Sequence, residues 1–139
     1  MEIIRRNTDY GIRALVYLAA NPETVTTARD IADTMEIPLG FLQKIMQKFV
    51  HKGLVISHRG THGGFSLGKN PDQITVLDIV ETLQGKPTMN KCFLGKEACP
   101  RAAKCKLKNT WLQMEQKILS FMEETTLQDL VEQLNADDS

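Results

Sequence analysis

Apolar positions recur along most of the chain with a helical period. Residues 8 to 20 read TDYGIRALVYLAA, and Ile12, Leu15, Val16 and Ala19 share one face, so a helix is predicted there. Thr8 or Asp9 is placed to cap its start, and Asn21-Pro22 stops it. In TTARDIADTM, Thr27 followed three positions on by Asp30 resembles a capping box, with Ile31, Ala32 and Met35 as the inner face. After a break at Glu36-Ile37-Pro38, a second helix runs from about Leu39 to Lys52, with Phe41, Leu42, Ile45, Phe49 and Val50 as its apolar side. Pro38 suits a first helical position, where its missing N–H costs nothing, and Gly53 ends the helix.

Two helices with a short break, the second one basic, make a helix-turn-helix candidate, although such pairs also occur in ordinary cores. The next residues add to it. Leu54 to His58 and Phe65 to Leu67 read as short strands around the Gly-rich turn RGTHGG. A hairpin placed there forms a wing, with Arg59 at its base within reach of phosphates or a minor groove.

Thr75 to Leu83 is a further amphipathic helix, ended by Gly85 and Pro87. Residues 88 to 106 hold the cysteines and read as a loop. Leu107 to Glu124 is a long helix whose apolar positions Leu107, Trp111, Met114, Ile118 and Phe121 are spaced like a coiled-coil seam. Dimerisation is the reading taken for it, the plainer one being a helix packed on its own domain. Leu127, Leu130, Val131 and Leu134 suggest one more short helix, and the polar tail from Asn135 to Ser139 is expected to fray. The predicted fold is mainly α with a small β-hairpin wing: a winged helix-turn-helix plus a long C-terminal dimerisation helix. It divides into a DNA-binding unit over 1–85, a cysteine loop over 86–106, and the dimerisation helix with its tail over 107–139.

Charge adds what the pattern lacks. The 139 residues carry 17 basic and 17 acidic side chains, a net charge of zero. The distribution is uneven. From Pro38 to Lys69 there are five bases, no acid and all three histidines, and from Lys86 to Lys108 seven bases face one acid. The stretch after Lys108 holds seven acids and one base. Such a basic zone is the footprint of a phosphate-binding surface, or more plainly a solvated face. Without a long apolar run no membrane span is expected, and without a signal-peptide core at the N-terminus the cytoplasm is expected.

The three cysteines, Cys92, Cys99 and Cys105, lie in CFLGKEACPRAAKC. An odd number in a chain read as cytoplasmic points away from disulfides and toward metal or redox chemistry. Their spacing is not the paired pattern of a zinc knuckle. Three soft thiolates on one loop suit an iron–sulfur cluster. Lys91, Lys96, Arg101, Lys104 and Lys106 would offset the negative charge of such a cluster. Three reduced structural cysteines are the alternative.

The order of these features resembles the IscR/NsrR-type family of small winged-helix transcription regulators, which includes RirA and CymR. The resemblance covers about residues 1 to 134 and rests on TDYGIRALVYLA, ARDIADTMEIPLGFLQKIMQKFVHKGLV, RGTHGGFSL, ITVLDIVETLQG and the cysteine loop. It implies a homodimer with crossed long helices, reading a pseudo-palindromic operator in double-stranded DNA. Many members hold a cluster at the three cysteines. Some sense nitric oxide, some iron or cluster supply, and some, like CymR, carry none and work through a partner protein. In IscR-like members a histidine soon after the third cysteine completes a [2Fe–2S] site, but here Lys106, Leu107 and Lys108 follow Cys105. In NsrR-like members an N-terminal aspartate from the other subunit can complete a [4Fe–4S] cluster, and Asp9 matches that position. The resemblance therefore favours [4Fe–4S] over [2Fe–2S], while Asp9 keeps its alternative as a helix cap.

The leading expectation is a repressor, not an enzyme, whose operator affinity follows the state of its cluster. Gln43, Lys44, Gln47 and Lys48 would face the major groove, His51 and Lys52 the backbone, and Arg59 and His62 would reach from the wing. A cluster-free regulator using cysteine thiols or a partner protein is the alternative. A small redox enzyme or metal carrier fits less well, because no C-x-x-C pair or cofactor fingerprint is present.

Overall fold

The computed structural model describes residues 2–88, 100, 101 and 104–137. In chain order these form α1 (Arg6–Ala20), α2 (Ala28–Met35), α3 (Leu39–His51), β1 (Val55–His58), β2 (Gly64–Leu67), α4 (Val76–Gln84), α5 (Lys108–Glu124) and α6 (Leu127–Asp137). A 3-10 turn at Pro71–Gln73 precedes α4. The fold is a winged helix with a long helix and a short helix following it.

The core forms around α1, which buries Thr8, Gly11, Ala14, Leu15, Val16, Leu18 and Ala19. It packs against α2, α3, α4 and α6, so few of its positions face water. Leu15, Leu18, Ile31, Leu42, Met46, Phe49, Ile74, Ile79 and Leu127 are the large side chains that fill the centre. Gly11 sets how closely three helices approach. A β-carbon there would lie 2.5 Å from Leu83 Cδ1 and 2.8 Å from Phe49 Cζ. Gly11→Ala should therefore destabilise by about 1–3 kcal/mol through overpacking, although alanine is the better helix former. Denaturant unfolding of the two proteins checks this, and an unchanged midpoint would count against it.

The hairpin pairs β1 with β2 antiparallel, from Val55 opposite Leu67 to His58 opposite Gly64. A third strand-like bridge ties it to the domain. Thr26 N–H donates to Phe65 O at 2.9 Å and Phe65 N–H donates to Thr26 O at 2.7 Å. Gly64, at φ 155°, allows that approach, because a β-carbon would press on the Thr26 carbonyl. At the far end, Val76 N–H donates to Thr125 O at 2.9 Å and Leu127 N–H to Ile74 O at 2.8 Å. These bonds seat the α5–α6 corner on the segment before α4, and α6 then packs on α1 with Leu127 and Val131 buried. Thr126 and Asp129 start α6 by exchanging side-chain hydrogen bonds with each other's N–H groups.

Four local expectations need correction. Helix α1 begins at Arg6 with Arg5 at the N-cap and no side-chain cap. Thr8 is instead fully buried and Asp9 lies within the first turn, so neither caps it. Pro38 sits at the N-cap of α3, one position earlier than expected. The inner stripe of α3 is Leu42, Ile45, Met46 and Phe49, while Phe41 is 50% exposed. The tail is helical through Asp137. Among the described residues no helix is long and apolar enough to cross a membrane.

Candidate nucleic-acid interface

The turn between α2 and α3 fixes the presentation of α3. Thr27 Oγ1 accepts from Asp30 N–H at 3.1 Å and starts α2. Glu36 ends it in the left-handed region, at φ 56° and ψ 46°. Ile37 N–H donates to Ala32 O at 2.9 Å and its side chain drops into the core. The break between the helices thus spans Glu36 to Pro38, and Pro38 leads directly into α3.

Burial of Leu42, Ile45, Met46 and Phe49 turns the other side of α3 outward. Gln43, Lys44, Gln47, Lys48 and His51 are all exposed there, with Lys52 just beyond the helix end. Lys48 and His51 lie in the last turn, where positive charge complements the helix dipole. Arg59 and His62 are exposed in the turn between β1 and β2. His58 Nε2 and Ser66 Oγ lie 2.8 Å apart across the strands and brace the hairpin. The eight residues expected to meet DNA therefore lie at the surface of two adjoining elements. No acidic residue interrupts the sequence from Pro38 to Lys69. Long basic side chains and amides of this kind can pair with phosphate oxygens and base edges. Phe41, expected on the apolar side of this helix, is exposed beside them. Its phase is the missed signal: it lies outside the i, i+3, i+4, i+7 row of Leu42, Ile45, Met46 and Phe49.

The expected cluster ligands are only partly within view. Cys92 and Cys99 lie outside the described residues, whereas Cys105 is half-buried shortly before α5. Lys104 and Lys106 flank it and are exposed. Asp9 pairs with Arg13 along α1, Arg13 Nε donating to Asp9 Oδ2 at 2.8 Å, and both side chains are about half exposed. Among the described residues no three His, Cys, Asp or Glu side chains converge into a metal-sized group. The donor chemistry suits a cluster: soft thiolates, a basic setting, and a carboxylate on another element.

Helix α5 divides the expected dimer seam. Its inner side carries buried Glu115 and Met122 and packs on α4, with Trp111 and Ile118 half-buried. Leu107, Met114 and Phe121 are 59%, 41% and 70% exposed.

Comparison with known proteins agrees with this architecture. A protein of Aquifex aeolicus (strain VF5) named as an HTH-type transcriptional regulator is 36% identical over 124 residues, covering 88% of this chain and 86% of that protein. The structure of CymR (YrzC), the global cysteine regulator of B. subtilis, is 30% identical with a TM-score of 0.78, covering 95% of this chain and 98% of that one. T. potens IscR shares the fold at 23% identity and a TM-score of 0.76, covering 94% and 87% of the two chains. The model of the Rrf2 family, described as iron-dependent transcriptional regulators, matches residues 4–133, and the chain belongs to that family.

Proposed function

We propose that this protein is a homodimeric, cytoplasmic repressor that reads a pseudo-palindromic operator, with an iron–sulfur cluster setting its affinity. The observation that carries the DNA-reading part is the exposed, acid-free polar face of α3 beside the Arg59 wing. Gln43 and Gln47 are suited to adenine edges, and Lys44 and Lys48 to guanine or phosphate. His51, Lys52, Arg59 and His62 supply backbone contacts that position the helix. The exposed row Leu107, Met114 and Phe121 supports a second copy as the partner of α5. Two α3 helices held about one helical turn of DNA apart would then meet two half-sites.

Cys92, Cys99 and Cys105 would hold the cluster, with Asp9 as the fourth, oxygen donor. When bound, the cluster supplies an inorganic centre reactive toward oxygen and nitric oxide. Asp9 must leave Arg13 to serve, which costs little for a half-exposed pair. Oxygen-free purification followed by iron, sulfide and visible-absorbance measurements tests the assignment. Operator affinity of cluster-loaded and cluster-free protein is then compared at one salt concentration. A coloured, iron-containing protein whose affinity changes on cluster loss is expected, and equal affinities remove the sensing role.

A second reading has its own support. The 30% identity to a global cysteine regulator favours a cluster-free regulator. It would act through its thiols or a partner protein. Colourless, iron-free protein from the same purification, with intact DNA binding, supports that reading over the first.

A further inference from the structure

The first turn of α3 holds two residues that the reading above does not use. Gly40 is exposed, and a β-carbon built on it would meet nothing within 4 Å. Its φ is not positive, so neither packing nor backbone conformation requires glycine there. Glycine within a helix is less favourable than alanine. A remaining use for a missing side chain is close approach of the backbone by another molecule. Gly11 differs, because its neighbours inside the protein leave no room for a methyl group.

Phe41 follows, 50% exposed on a helix whose outer side is otherwise polar and basic. It shares one side of α3 with Lys44 and Lys48, three and seven positions on. The Tyr10 ring braces it from α1, with centroids 6.5 Å apart and planes inclined at 40°. Its outward side is an apolar surface held in place at the end of the helix that enters a major groove in helix-turn-helix proteins. Of the four bases, only thymine presents a methyl group in that groove, and apolar side chains cover it.

We propose that Gly40 and Phe41 form an apolar base-reading element that takes the 5-methyl group of a thymine. Gly40 lets the first turn of α3 approach the base edges, and Phe41 covers the methyl group. The inference rests on α3 being the recognition helix.

The test begins with a duplex selected from a random-sequence pool by the full chain. Affinity is measured at one salt concentration with each thymine replaced singly by deoxyuridine, which lacks only the methyl group. At one thymine per half-site the wild type should lose about fourfold, the worth of one methyl group withdrawn from water. Phe41→Ala should bind more weakly and lose that penalty, while Phe41→Leu keeps part of it. Gly40→Ala should raise the melting temperature yet weaken binding, a pair of changes that simple misfolding does not produce. A wild type indifferent to every deoxyuridine, or Phe41→Ala with the full penalty, overturns the Phe41 assignment. Unweakened binding by Gly40→Ala overturns the close approach. Absence of any salt-sensitive duplex binding is a different result, and it overturns the DNA-reading function itself.

Discussion

Replacing Lys44 and Lys48 together by glutamate should lower affinity for the selected duplex by about 30-fold or more, from roughly 1–3 kcal/mol for each lost contact. Both side chains are exposed on the outer side of α3. Their substitution should therefore change folding stability by no more than about 0.5 kcal/mol. The loss arises twice over, because two attractions to phosphate or guanine vanish and two carboxylates meet the polyanion. The dependence of affinity on salt should become shallower, by about one counterion per lost phosphate contact. Fluorescence anisotropy over a salt series measures both quantities. Unchanged affinity and slope would place the DNA elsewhere on the molecule.

If α5 forms the proposed dimer, replacing Met114 and Phe121 by lysine should leave a monomer that remains folded. Phe121 is 70% and Met114 41% exposed, so the single chain loses little packing. In a dimer these positions would be withdrawn from water, and four lysine ammonium groups would meet across the two-fold axis. Burying unpaired ammonium groups is far costlier than losing the apolar contact. Operator affinity should fall by about 100-fold or more, since the second half-site is no longer delivered at high effective concentration. Sedimentation equilibrium reports the mass, and thermal melting reports the fold. A variant that stays dimeric would remove the outer row of α5 from the interface. In contrast, Glu115 and Met122 face the chain's own core, and changing them would confuse folding with assembly.

Much of the architecture was legible where one physical signal dominated. Thr27 before Ala28, Gly53 after α3 and Gly85 after α4 mark element ends through local hydrogen bonding and backbone conformation. These depend on neighbours in the chain, so sequence reveals them. Phe41 is apolar, but its helical phase sets it apart from the buried row of α3. The row Leu42, Ile45, Met46 and Phe49 was present in the sequence, and Phe41 stood outside it. The start of α1 at Arg6 differs from the expected one for another reason. Thr8 has the chemistry of a cap, but it is fully buried within the helix, which begins at Arg6. The polar tail predicts fraying, whereas Asn135 to Asp137 prolong a helix anchored by Leu127 and Val131.

The candidate site shows the same division. Basic residues gathered between Pro38 and Lys69 are a linear property, and so is the cysteine spacing. Which residues face outward is not. Sequence by itself determined the helix periods, the turn chemistry, the segregation of charge and the supply of thiolates, since each depends on residue type and spacing. Only the tertiary structure decided which sides of α3 and α5 stay open. That choice follows from which apolar stripe α1 and α4 cover, a competition among distant surfaces for the same buried volume.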